Sequence, residues 1–123
     1  MFRDLYRINS EIISEGRYTF GLTLDASHRI YQVHFPGTPI TPGACQLEIL
    51  RQLAGRAVGS GVSILEVRNI KYLRVISPET DPDITVEETV SGTEVPGIFK
   101  CNAVICAGDT VFTKTSFTFK TEE

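Results

Sequence analysis

His34-Phe-Pro-Gly-Thr-Pro-Ile-Thr-Pro-Gly-Ala-Cys-Gln-Leu-Glu48 is the stretch on which the architecture of the chain turns. Pro36, Pro39 and Pro42 each fix φ and remove a backbone donor, so residues 34–42 form neither a regular helix nor a central strand. They predict a shaped, stiff loop. Pro42 suits the first position of a helix, where its missing N–H has no partner to lose, and the pattern after it is helical over residues 42–58. Leu47, Leu50, Ala54, Ala57 and Val58 recur at helical spacing as one apolar stripe. A second stripe, Cys45, Glu48, Gln52 and Gly55, is small or polar, and on a helix buried on most sides it carries a carboxylate inward.

Outward from this stretch the signals are those of sheet. Residues 1–10 read either as a short strand or as a docked segment. Over residues 12–25, Tyr18, Phe20, Leu22 and Leu24 alternate with Thr19, Gly21 and Thr23 at the period of one long half-buried strand. Residues 29–33 are a second, short β-like run that delivers the chain to His34. Gly59-Ser-Gly61 closes the helix with a left-handed cap. Residues 64–76, broken by Ser77-Pro78 and Pro82, then residues 84–90, and a hairpin of residues 98–107 and 110–120 around Gly108-Asp109 complete the series. Thr121-Glu-Glu123 reads as a frayed tail. Strands joined by tight turns, with one long helix among them, predict an α+β fold with an antiparallel sheet.

Composition bounds the function. At 123 residues and 41% hydrophobic, the chain fits one compact domain over residues 1–123. The net charge of −3 and scattered Lys and Arg exclude nucleic acid and an anionic membrane as main partners. The N-terminus mixes charges into its apolar residues, so neither a signal peptide nor a membrane span is expected, and a cytoplasmic protein is the default. Cys45, Cys101 and Cys106 are odd in number and lack C-x-x-C spacing, which reads as reduced, mostly buried thiols.

The residues around the loop suggest acid–base chemistry. His34 in a rigid loop accepts a proton near neutrality. The amides of Gly43 and Ala44, at a helix start, suit a carbonyl oxygen gaining negative charge. Glu48, if desolvated, has its pKa raised and serves as an acid. Each position has a bland reading too: His34 as a structural residue beside Phe35, Glu48 as an exposed helix residue paired with Arg51 or Gln52, and Cys45 as a small buried hydrophobe. His28, between Ser27 and Arg29, reads as a surface histidine, and Arg51 and Arg56 as solvated or subunit-facing.

The register His34-Phe-Pro-Gly-x-Pro-x-x-Pro-Gly43, with Glu48 and Gln52 following, closely resembles the signature of 3-hydroxyacyl-acyl-carrier-protein dehydratases of the FabZ type. Lys71-Tyr-Leu-Arg-Val-Ile-Ser-Pro78 looks like that family's basic-aromatic strand ending in proline. The resemblance implies a hotdog fold, a long antiparallel sheet wrapped around a central helix. It implies that His34 removes the α-proton of a (3R)-hydroxyacyl thioester and that Glu48 protonates the departing β-hydroxyl, giving a trans-2-enoyl thioester and water. In a variant, His34 makes both proton transfers and Glu48 positions the leaving group. Gly43 or Ala44 would face the thioester oxygen, with Gln52 in support and neither metal nor redox cofactor. The resemblance further implies a homodimer, or a larger assembly of dimers, with Phe35, Ile40 and Leu47 lining an acyl tunnel, and an acidic acyl-carrier protein docking on Arg68, Lys71 and Arg74.

Departures from the family pattern leave substrate and pathway open between fatty-acid elongation and specialised lipid or polyene synthesis. Val33 stands where Gly usually precedes the His, and Ile49 where Ala follows the Glu; both enlarge side chains beside the site. The N-terminus lacks the Pro-x-Leu-Leu-x-Asp pattern. Two other readings stand beside the dehydratase: a hotdog thioesterase using Glu48 to activate water, and a non-catalytic acyl-binding or partner subunit.

Overall fold

A computed structural model describes residues 4–122. Strands β1 (Tyr6–Ser14) and β2 (Arg17–Leu24) form a hairpin, followed by the short helix α1 (Arg29–Val33) and the long helix α2 (Gly43–Val58). Strands β3 (Val62–Tyr72), β4 (Asp83–Gly92), β5 (Ile98–Ala107) and β6 (Thr110–Thr121) complete the chain. All pair antiparallel in one sheet of order β1-β2-β4-β5-β6-β3, so β1 and β3 are its edges. This is the α+β hotdog arrangement, with α2 as the element held by the sheet.

Period-two alternation explains how the sheet holds the helix. Phe20, Leu22 and Leu24 on β2, Ile84 and Val86 on β4, Cys101, Ala103 and Ile105 on β5, and Phe117 and Phe119 on β6 share one buried face. The pairings Phe20 to Val86 and Val86 to Ile105 run that face continuously across the strands. Against it lies the buried side of α2: Cys45, Gln46, Ile49, Leu50, Leu53 and Ala54.

That face differs from the expected stripe. Leu50 and Ala54 are in the core, but Leu47, Ala57 and Val58 are only half-buried. With adjacent apolar residues at 49–50 and 53–54, periodicity leaves the phase of the helix open by one position, and contact with the sheet selects Ile49 and Leu53. Ile49 thus packs into the core rather than beside the site, and Val33 is 64% exposed. Pro42 is the N-cap, one residue before the first helical position expected for it, and Gly59 closes α2 at φ 72° as expected.

Other boundaries also depart from expectation. The single long strand over residues 12–25 is instead the second half of β1, a two-residue turn and β2. Glu15 and Gly16 both have positive φ, the requirement of a type I′ hairpin turn, and a non-glycine residue at its first position hid the break. Residues 1–10 prove to contribute a strand from Tyr6 onward, while residues 1–3 lie outside the described residues. The tail does not fray at Glu122, whose N–H donates to the Gly61 carbonyl at 2.8 Å and whose carboxylate accepts from Ser63 Oγ at 2.7 Å. Glu123 lies outside the described residues.

Candidate active site

The β-like run expected at residues 29–33 is the helix α1. His28 starts it: Nδ1 accepts from the Ile30 N–H at 3.0 Å, so this histidine is an N-cap rather than a surface residue without a task. Capping, together with burial of Ile30 and Tyr31, overrides the β propensity of the segment. His34 therefore sits at the C-cap of a helical turn, its N–H donating to the Ile30 carbonyl at 2.9 Å.

The loop after it is stiff, and hydrogen bonds show why. The Ile40 N–H donates to the His34 carbonyl at 3.0 Å and the Thr38 N–H to the Phe35 carbonyl at 2.9 Å, closing the loop on itself. Its far end is tied down by a buried network. Tyr31 and Thr41 hydroxyls lie 2.9 Å apart, Gln46 Nε2 donates to the Thr41 carbonyl at 3.0 Å, and Thr113 Oγ1 donates to Gln46 Oε1 at 2.5 Å. The Thr41 N–H reaches the Ile76 carbonyl at 2.7 Å. With every polar atom of that network partnered, the loop has one favoured arrangement. The His34 ring is half-buried and meets Phe35 edge-on at 5.6 Å between centroids.

No side chain caps the N-terminus of α2, leaving the first-turn amides of Gly43 and Ala44 for another acceptor. A cavity of about 270 Å³ opens there, lined by Ile40, Pro42, Gly43, Gln46, Tyr72 and Arg74, among others. Gly43 is needed for a contact that the sequence did not suggest: a Cβ at this position would lie 2.7 Å from Tyr72 Cζ. The tyrosine ring thus roofs the helix start. Of the tunnel candidates, Ile40 lines this cavity, Leu47 is half-buried and Phe35 is 53% exposed.

Glu48 belongs to a second hydrogen-bonded cluster, and among the described residues no hydrogen bond links it to His34. Arg51 grips it with two donors, Nε to Oε1 at 2.8 Å and Nη2 to Oε2 at 2.6 Å, and its Nη1 donates to the Val62 carbonyl at 3.0 Å. Gln52 Nε2 donates to Glu48 Oε2 at 2.9 Å, and the Tyr6 hydroxyl donates to Gln52 Oε1 at 2.7 Å. The expected upward shift of the Glu48 pKa is overturned. The Arg51 hydrogen bonds hold the carboxyl below its ordinary value, and partial burial does not offset them. Glu48 is a part-buried carboxylate suited to accepting hydrogen bonds. The pairing of Glu48 with Arg51 and Gln52 is the plainer of the two sequence readings, found here on a part-buried rather than an exposed residue; Tyr6 escaped the sequence reading, and no signal for it existed.

Glu88 is a further surprise. It is 1% exposed on the inner face of β4, and neither carboxyl oxygen has a hydrogen-bond partner, so burial pushes its pKa well up. It is the Ile84–Val86 alternation carried one step further, a signal legible in the sequence and not used. Cys45 and Cys101 are buried and Cys106 half-buried, all as free thiols. Burial raises the Cys45 thiol pKa, as suits a small hydrophobe. Arg68, Lys71 and Arg74 are exposed; Arg68 pairs loosely with Glu66 at 3.3 Å, and Arg74 stands at the cavity. Among the described residues no group of His, Cys, Asp or Glu is placed to hold a metal ion, and no helix is long and apolar enough to cross a membrane.

Comparison with known proteins places the chain in a family. The sequence profile of the ApeI-like family, ApeI dehydratase, matches residues 10–108. Two curated relatives are 3-hydroxyacyl-acyl-carrier-protein dehydratases FabZ. That of Novosphingobium aromaticivorans is 32% identical over 75% of this chain and 62% of its own length. That of Clostridium acetobutylicum is 33% identical over 55% of this chain and 54% of its own. The chain thus spans less than two thirds of the length of these relatives. Among solved structures, the dehydratase heterocomplex ApeI:P from Xenorhabdus doucetiae superposes with a TM-score of 0.69 at 16% identity, covering 94% of this chain and 97% of that one. A hypothetical thioesterase with coenzyme A from Streptococcus pneumoniae gives 0.66 at 16% identity, covering 95% and 85%. At these identities the structural likeness is one of fold.

Proposed function

This chain belongs to the ApeI-like dehydratase family, and we propose that it removes water from (3R)-3-hydroxyacyl thioesters, carried by an acyl-carrier protein, to give trans-2-enoyl thioesters in fatty-acid or related lipid biosynthesis. The observation that carries the reading is a single pinned loop and helix presenting His34, the open amides of Gly43 and Ala44, and an ionised Glu48 in the dehydratase register.

The roles follow from the chemistry of each group. A neutral His34 takes the α-proton, and the electron pair moves onto the thioester oxygen, where the α2 amides meet the growing charge. Glu48, kept ionised by Arg51, accepts a hydrogen bond from the β-hydroxyl and orients the C–O bond. As that bond breaks, the imidazolium returns the proton to the departing oxygen. Of the two expected assignments, this is the one in which His34 makes both transfers, and the direction of the Glu48 shift supports it.

Among the described residues no hydrogen bond joins His34 to Glu48 within one chain, which suits a site completed by a second copy. Edge strand β3 has no partner on its outer side, and Leu65, Tyr72, Leu73 and Val75 on or beside it are each about half exposed or more. A homodimer through that edge would cover them and close Phe35, Ile40 and Leu47 around an acyl chain. Arg68, Lys71 and Arg74 then offer positive charge to an acidic carrier, and the setting is cytoplasmic.

The test is hydration of a short trans-2-enoyl thioester, read as loss of ultraviolet absorbance. Wild type should turn over, His34→Ala should lose about 100-fold or more, and Glu48→Gln should also fall sharply. No turnover by the folded dimer with either carrier-protein or coenzyme A thioesters would favour the acyl-binding subunit. Release of free thiol that depends on Glu48 and survives His34→Ala would favour the thioesterase.

A further inference from the structure

Tyr6 lies outside every motif, yet its hydroxyl ends a chain of hydrogen bonds that begins at Glu48. An ionised carboxylate only accepts, so Gln52 must present Nε2 to Glu48 Oε2, 2.9 Å away. Its Oε1 then faces the opposite way and accepts from the Tyr6 hydroxyl at 2.7 Å. Carboxylate chemistry thus sets the direction of both bonds. Burial, and the Glu48 charge after it, push the Tyr6 pKa up to about 12, so the hydroxyl remains a donor at neutral pH.

The backbone of Tyr6 is anchored too. It pairs with Leu24 across the hairpin, and the neighbouring Leu5 is 1% exposed, with its carbonyl accepting from the Asp25 N–H at 2.8 Å. On the other side, Arg51 is fixed to the Val62 carbonyl at the start of β3. Glu48 is therefore held from both edge strands of the sheet, β1 through Tyr6 and Gln52, and β3 through Arg51. Oε2 accepts from Arg51 and Gln52, whereas Oε1 accepts from Arg51 Nε alone and keeps a lone pair for a further donor. If the Tyr6 hydroxyl is lost, Gln52 Oε1 is left part-buried without a donor. The side chain then gains by turning toward solvent and takes its N–H away from Glu48.

We propose that Tyr6 is a positioning residue of the dehydratase: acting through Gln52, it holds the Glu48 carboxylate so that Oε1 faces the β-hydroxyl of the substrate. The inference rests on the dehydratase reading for its catalytic consequence but not for the hydrogen-bond relay itself. Its test compares wild type, Tyr6→Phe, Gln52→Met and the double variant by enoyl-thioester hydration, and by carboxyl-detected NMR titration of Glu48 in ¹³C-labelled protein. Tyr6→Phe keeps the ring and its packing. Loss of one net hydrogen bond of ~0.5–1.5 kcal/mol converts to a fall in kcat of roughly threefold to tenfold, with KM little changed. The Glu48 titration should move to higher pH. In the Gln52→Met background, adding Tyr6→Phe should change neither quantity. An equal fall in kcat in both backgrounds, or a Glu48 titration unmoved by Tyr6→Phe, would overturn the proposal. Absence of hydration in wild type overturns the dehydratase reading instead, and the titrations alone then decide whether Tyr6 orients Glu48.

Discussion

Replacing Glu88 by Gln should remove a pH dependence of stability that this one buried carboxyl imposes. Both oxygens are inaccessible and unpartnered on the inner face of β4, between Tyr18 of β2 and Ala103 of β5 in register. The titratable groups that feel its charge include Tyr6 and Cys101, both held neutral by burial, and burial is what sets the Glu88 shift. Glu88 stays protonated in the fold well above its ordinary value of 4.5. Between the unfolded and folded pKa values the native state binds one proton more than the unfolded chain. Stability is then fully present below the unfolded pKa, falls by about 1.4 kcal/mol per pH unit as pH rises, and levels once the folded pKa is passed. Gln has the same shape and does not titrate. Urea unfolding of both proteins at fixed protein concentration, from about pH 5 to about pH 8, reads the difference directly. The two should agree within about 1 kcal/mol at the acid end and diverge upward in favour of Gln. Parallel curves would refute the reasoning, since they would mean that Glu88 is ionised and partnered in the fold. Glu88→Leu, which also removes the unpaired polar atoms, should add roughly 1–3 kcal/mol at neutral pH.

Arg51→Met should free Glu48 from the group that depresses its pKa. The acid limb of the kcat/KM profile, where Glu48 must be ionised to work, then moves to higher pH; an unmoved limb would separate Glu48 from that limb. Because the pair is part-exposed, the accompanying loss of stability should stay under about 1 kcal/mol. Gly43→Ala places a Cβ against the end of the Tyr72 side chain, which is 50% exposed and free to swing outward. Stability by thermal melting should therefore shift by no more than about 0.5 kcal/mol, while KM rises as the cavity at the helix start changes shape. Phe117→Ala, at 0% exposure with the Phe119 ring 6.1 Å away, should cost about 3–5 kcal/mol in urea unfolding.

Local chemistry made much of this protein legible from the sequence alone. Three prolines define the loop, Pro42 and Gly59 bracket α2, and the alternations of β4, β5 and β6 lie where the residues placed them, because each depends on near neighbours. Identity of type also determined the candidate chemistry: a His in a stiff loop, open amides and a Glu at fixed spacing, in the register of the dehydratase family.

Long-range contact decided the rest. Residues 29–33 have β propensity, yet the His28 cap and burial of Ile30 and Tyr31 make them helical. The phase of α2 was set by the sheet that it fills, not by its own periodicity. Spacing along α2 offered the partners of Glu48 but not its state. Whether a carboxyl on a helix is an acid or a carboxylate depends on what surrounds it, and that meant the two-donor grip of Arg51, set against partial burial, and the amide of Gln52. Sequence determines which groups exist and how they are spaced along an element; only the packed structure fixes their solvation and partners, and those set the pKa.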